Sequence, residues 1–305
     1  MHGMHRHRVK RSFQRRSQIL AAVLFNGYLL GFQKGRIFTG ASKAVCVPVL
    51  NCYSCPGALG ACPVGSLQSA LGSGFPFYTV GLLMVFGILL GRLVCGLLCP
   101  FGLVQDLLHK IPLPKWKLPE KPDRAARYLK YAVLLLLVLL LPALSAGENG
   151  VPVPWFCKYL CPAGTLEGGL PLLLTNPFLR QAVGLLFSWK ALVLAAILAA
   201  SMVIHRPFCK YLCPLGAFYG LFNRISFYRM NLEPASCTGC KSCERVCPMN
   251  VRITQTINSP ECIRCGKCKA ACPAGAITSG FSLGKARSGA HSGQAAEAQG
   301  KELPK

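Results

Sequence analysis

The chain has 305 residues, 52% of them hydrophobic and only 14% charged, with a mean hydropathy of +0.41. That balance excludes an ordinary soluble two-domain protein and points to a membrane protein. The net charge of +24 does not mark a nucleic-acid partner, because the basic residues come in blocks between apolar runs, as in the cytoplasmic loops of membrane proteins. Eighteen cysteines among long apolar runs exclude a small secreted disulfide scaffold, and metal chemistry is expected before disulfides.

Residues 1–16 form a basic arm with six Lys and Arg. Four apolar stretches follow, at 17–32, 75–91, 129–145 and 187–204. Each is near the lower limit for crossing roughly 30 Å of hydrocarbon. The first is read as a retained anchor, since no small-x-small cleavage site follows it. The stretch at 166–181 is apolar but broken by Pro171, Asn176, Pro177 and Arg180, and is read as interfacial or re-entrant. Of the 34 Lys and Arg, 28 fall in the arm, the 92–130 loop and the region after Ile204, against five in the other two loops. The positive-inside rule then puts both termini in the cytoplasm of a multi-pass protein of the cell (inner) membrane, in contact with lipid.

"RLVCGLLCPFG" at 92–102 and "RPFCKYLCPLG" at 206–216 repeat the pattern Arg-x2-Cys-x3-Cys-Pro-x-Gly 114 positions apart. On the opposite side, "CPVG" from Cys62 precedes the second span and "CKYLCPAG" from Cys157 precedes the fourth. Each half therefore reads span, outer motif, span, inner motif, and the halves are parallel repeats about an axis along the membrane normal. Symmetry brings Cys95 and Cys99 to face Cys209 and Cys213, four thiolates that suit a cofactor-binding iron–sulfur site. On the outer side Cys46, Cys52, Cys55, Cys62, Cys157 and Cys161 offer six thiols, a set in which ligands and disulfides are not distinguished. The bilayer-thick gap between the two sides requires either that the loops re-enter or that a quinone bridges it.

The strongest signal lies further on. "CTGCKSCERVCP" at 237–248 and "CIRCGKCKAACP" at 262–273 are each the bacterial C-x2-C-x2-C-x3-C-P run, in which three thiolates wrap one cluster and the fourth reaches the other. One [4Fe–4S] cluster is expected on Cys237, Cys240, Cys243 and Cys272, the second on Cys262, Cys265, Cys268 and Cys247. Zinc on the same thiols is the bland alternative. His109 and His205 are read as interfacial, and no catalytic set of side chains is found.

With both motif sets in view, residues 75–275 resemble the membrane polyferredoxin family, which includes the membrane component of the periplasmic nitrate reductase quinol dehydrogenase and the nitrous oxide reductase regulator. The resemblance implies electron transfer between quinol or cytoplasmic donors and partners across the membrane. It also implies cluster roles for Cys95, Cys99, Cys209, Cys213 and the eight ferredoxin cysteines. The outer cysteines depart from the family's minimal pattern.

The expected fold is mainly α: four transmembrane helices as two parallel repeats (17–111 and 112–228), a small α+β two-cluster ferredoxin domain (229–280) and a disordered tail (281–305). The expected function is an iron–sulfur relay between the cytoplasmic ferredoxin module and membrane or extracytoplasmic redox proteins, as an electron-transfer subunit of an oxidoreductase system. The alternatives are a thiol or copper-handling assembly factor for an extracytoplasmic metalloenzyme, and a redox sensor.

Overall fold

The computed structural model describes residues 2–72, 75–116, 118–145, 152–181 and 183–282, without side chains for residues 2–12. Among the described residues two helices, Glu120–Leu144 and Leu185–Val203, are long and apolar enough to cross a membrane, and Phe77–Leu90 is apolar but shorter. The Glu120–Leu144 helix opens on Glu120 and Asp123, acidic side chains that complement the positive end of the helix dipole. It is π-wound over Val133–Leu140, just ahead of Pro142, which has no N–H for the turn before it.

The expected first span at 17–32 is not one helix, and the basic arm is not separate from it. A helix runs from His2 to Phe25, and a second, short one from Leu29 to Lys34. The break is where the first outer loop docks. Tyr28 N donates to Gly57 O at 3.1 Å and Leu59 N to Phe25 O at 2.9 Å. At Gly31 a side chain would begin 2.2 Å from the Pro56 carbonyl oxygen, so only glycine admits the loop.

That loop, residues 45–62, does not lie on the surface. Val49, Leu50 and Asn51 are buried, and a parallel bridge between Cys46 and Ala61 closes the loop's neck. It belongs to one continuous apolar core with the second outer motif and both inner motifs: Leu50 and Cys62 share it with Phe156, Cys161, Cys95, Cys99, Cys209 and Cys213. The 166–181 segment also stays short. Helices Leu170–Thr175 and Pro177–Gln181 meet at Asn176, whose Nδ2 donates to Gly35 O at 2.8 Å.

A second core, built on Met230, Met249, Ile253 and Ile263, belongs to the cysteine-rich C-terminal part. Its two ends pair as antiparallel strands, β1 (Tyr228–Leu232) and β2 (Ile277–Phe281), with Tyr228 opposite Phe281 and Leu232 opposite Ile277. The strands bracket both cysteine runs. Most of the expected tail, from residue 283 on, lies outside the described residues.

Candidate iron–sulfur centres

Each inner motif folds as a short helix, an extended cysteine and a second helix. Cys95 sits on Leu93–Leu97 and Cys99 caps Pro100–Leu108; Cys209 sits on Pro207–Tyr211 and Cys213 caps Pro214–Phe222. Proline as the first helical residue makes this geometry, since its missing N–H has no partner there anyway. All four thiols are buried, and every pair among them lies within electrostatic reach. Gly216 N donates to Cys213 Sγ at 3.3 Å and Gln105 Nε2 to Cys209 Sγ at 3.1 Å.

The two motif arginines, both fully buried, exchange partners between the halves. Arg92 of the first half donates to the Cys209 carbonyl at 3.0 Å, and Arg206 of the second to the Cys95 carbonyl at 2.8 Å. The motif glycines make room for this exchange. A side chain at Gly216 would begin 3.3 Å from Arg92, and one at Gly102 3.3 Å from Arg206. Two guanidinium groups thus brace the quartet and set positive charge beside thiols that a cluster would hold as thiolates. Arg206 is neutralised by Asp106 through Nε at 2.8 Å. Arg92 takes its carboxylate from the ferredoxin part, Glu261 at 3.0 Å, which also pairs with buried Lys130. Burial opposes ionisation of Glu261, yet the Arg92 and Lys130 cations outweigh it and hold the carboxyl below its ordinary value.

In the ferredoxin part, Cys247, Cys262, Cys265 and Cys268 lie in mutual electrostatic reach, and Cys243 lies near Cys272. Cys240 is exposed, while Cys237 is partly buried. Burial pushes the Cys262 thiol up to about 12 and the Cys247 and Cys268 thiols up as well. Such thiols ionise only beside a compensating cation, the situation iron ligation supplies. The loop holding Cys262 docks directly on the inner quartet. A side chain at Gly96, between Cys95 and Cys99, would begin 2.3 Å from Ile263 O. Asn223 Nδ2 donates to the carbonyls of Ser259 at 2.8 Å and Cys262 at 2.7 Å.

Of the six outer thiols, four come together. Cys52, Cys62, Cys157 and Cys161 are all in mutual electrostatic reach and line a cavity of about 890 Å³. Cys55 instead donates to Asn26 Oδ1 at 3.4 Å, and Cys46 occupies the loop bridge to Ala61. Among the described residues no group of three or more His, Cys, Asp or Glu side chains is drawn together tightly enough for a single metal ion.

His109 and His205 are not simply interfacial. His205 Nε2 lies 3.2 Å from Asp106 Oδ1, and the His109 ring packs edge-on against it, the centroids 5.1 Å apart. Asp106 holds Arg206 through both oxygens and lies beside His205, on whose ring His109 packs. Sequence reasoning also missed Gln68, Gln105 and Glu167. Glu167, outside the expected spans, accepts the Cys52 N–H at 2.9 Å. The glutamines had a signal: each stands six residues after a motif cysteine, in "CPVGSLQ" (62–68) and "CPFGLVQ" (99–105).

Residues 73–119, 132–170 and 185–232 match the 4Fe-4S binding domain family, and residues 229–273 match the 4Fe-4S dicluster domain family. Uncharacterized protein MJ0750 of Methanocaldococcus jannaschii is 32% identical over 67% of this chain and 78% of its own length. Methylamine utilization ferredoxin-type protein MauN of Paracoccus denitrificans is 32% identical over 60% of this chain and 59% of its own. Ferredoxin-type protein NapH of Haemophilus influenzae is 24% identical, over 63% of each chain. No solved structure matches. Paired Cys-Pro motifs, a dicluster module docked on them and these relatives agree: the chain belongs to the membrane polyferredoxin-like family of 4Fe–4S electron-transfer proteins.

Proposed function

We propose that this protein is a multi-pass membrane relay, with both termini on the cytoplasmic side. Electrons would pass between the two clusters of the ferredoxin module and a third cluster on Cys95, Cys99, Cys209 and Cys213, and from there to redox partners in or across the membrane. One observation carries the reading. The Cys262 loop seats on Gly96, inside the first inner motif, while Arg92 joins the Cys209 carbonyl to Glu261, the neighbour of Cys262. Tunnelling falls steeply with distance, and this contact makes the two quartets adjacent.

The charge asymmetry along the chain supports the topology. So do apolar side chains left exposed on the two long helices, among them Leu135, Leu140, Leu185 and Leu192. Tyr219, packed in one core with the inner quartet, donates to Pro48 O of the 45–62 loop at 3.0 Å. The test is anaerobic purification with iron and sulfide analysis and electron paramagnetic resonance. Cys95→Ser together with Cys209→Ser should remove about four irons and one signal. Unchanged iron and spectra would overturn the inner centre.

A further inference from the structure

The outer quartet is built to the plan of the inner one. In each, a Cys-x3-Cys-Pro-x-Gly segment of the second half, "CKYLCPLG" at 209–216 inside and "CKYLCPAG" at 157–164 outside, faces a Cys-Pro-x-Gly-x2-Gln segment of the first. In each, the first-half glutamine donates to the first cysteine of the second half: Gln105 to Cys209 Sγ at 3.1 Å, Gln68 to Cys157 Sγ at 3.3 Å. In each, the second-half glycine N–H donates to the sulfur three residues before it: Gly216 to Cys213 and Gly164 to Cys161, both at 3.3 Å. Each also has two cations in reach of its sulfurs, Arg92 and Arg206 inside, Lys43 and Lys190 outside.

One position differs. The first outer motif has Ala58 where the inner one has Cys95, four before the Cys-Pro cysteine. Cys52 takes the place instead, ten residues before Cys62, carried in by the 45–62 loop. Glu167 fixes it there through the Cys52 N–H. Gly168 and Gly164 clear the space: a side chain at Gly168 would begin 3.3 Å from Cys52 Sγ, and one at Gly164 3.7 Å from both Cys52 and Cys161 sulfurs. All four cysteines line one cavity of about 890 Å³.

We propose that Cys52, Cys62, Cys157 and Cys161 hold a further [4Fe–4S] cluster toward the outer face, and that Gln68 positions it by donating to Cys157. The proposal rests on the iron–sulfur reading of the chain but not on the inner cluster. Its test uses the full chain, purified without oxygen. Cys157→Ser with Cys161→Ser should lower iron and acid-labile sulfide by about four each per chain and remove one paramagnetic signal. The ferredoxin signals and the one lost in the Cys95→Ser/Cys209→Ser protein should stay. If the outer variant loses iron and the inner one does not, the outer site stands and the inner centre falls. Full iron in the outer variant, a Cys52–Cys161 or Cys62–Cys157 disulfide found by mass spectrometry, or stoichiometric copper lost with these cysteines would each overturn the outer cluster. Gln68→Leu keeps all four thiols but also frees the buried Phe156 N–H that Gln68 Oε1 accepts, so its iron content is measured beside its potentials. It should shift one midpoint potential downward, since a lost N–H to sulfur disfavours the reduced cluster. No shift in any potential would overturn the role of Gln68.

Discussion

The two inner motifs share one residue pattern and differ where the ferredoxin module touches one of them. Asp106 follows the first motif and neutralises Arg206. Its repeat equivalent, 114 positions on, is Gly220. There a side chain would begin 3.1 Å from Pro260 O, and the carboxylate for Arg92 arrives from outside the repeat, as Glu261. His109, which packs on His205, becomes Asn223, which holds the Ser259 and Cys262 carbonyls. In the other direction, buried Lys210, paired to Asp123 at 2.5 Å, has Gly96 as its equivalent, and Ile263 fills that space. The arginine exchange that braces the quartet is kept on both sides. Symmetry made the cradle, and three departures from it made the docking face.

The strongest way to break this comparison is to remove each arginine in turn. Arg92→Met leaves Glu261 with Lys130 alone in a buried site and frees the Cys209 carbonyl. Losing one partner of a buried pair costs about 3–5 kcal/mol. The expected result is a lower thermal midpoint and a C-terminal module that a protease releases from the membrane part. Arg206→Met should destabilise comparably but leave the module docked, because its carboxylate is Asp106. Equal release from both variants would show that the asymmetry does not govern docking. Replacing Arg92 and Glu261 together by Met should be no milder than Arg92→Met, since fully buried Lys130 then loses the carboxylate it pairs with.

Gly96→Ala tests the same face by shape. The new methyl would meet the backbone of Ile263 at 2.3 Å, and no flexible side chain is there to yield. Overpacking of this kind costs about 1–3 kcal/mol. It should push the Cys262 loop away, weaken magnetic coupling between that centre and the inner one, and slow electron transfer between them in rapid-mixing experiments. Gly102→Ala, whose methyl would meet the movable Arg206 side chain at 3.3 Å, should leave the coupling in place.

Much of this was legible in the residues, and the reasons for the rest are specific. The ferredoxin spacing is local, so the sequence alone predicts two quartets, and the structure draws Cys247, Cys262, Cys265 and Cys268 together. The two inner pairs stand 114 positions apart in the same pattern, and the structure brings their four thiols into one core. The outer quartet escapes this logic because Cys52 stands ten residues from Cys62 and is brought in by a loop that hydrogen-bonds Glu167 from 115 positions away. The first helix breaks at Asn26 for a reason no hydropathy window holds: the same loop takes its backbone groups. Partner exchange by the arginines needs the distance between halves, which no spacing encodes.

Gln105→Leu sharpens the comparison between the inner quartet's two sides. Gln105 serves Cys209, while its repeat equivalent, Tyr219, reaches the Pro48 carbonyl instead. One neutral hydrogen bond is worth about 0.5–1.5 kcal/mol. For a one-electron couple, in which a tenfold change corresponds to 59 mV, that is a lowering of the inner midpoint by roughly 20–60 mV. Potentiometric titration should show that shift with the ferredoxin potentials unchanged. A fall in all the potentials would mean that the substitution acts through the fold.

The smallest effect is expected where the module meets the long helix in solvent. Arg252 pairs with Glu120 across the same interface as Arg92 and Glu261, but the side chains are 47% and 64% exposed. Water screens such a pair, and holding two long side chains in one geometry costs entropy that offsets the attraction. Arg252→Ala should therefore change neither the thermal midpoint nor the protease release of the module beyond the scatter of replicate measurements, at low or high salt. If it releases the module as Arg92→Met does, docking is held by charge at the rim, and the buried Arg92–Glu261–Lys130 group only fills space.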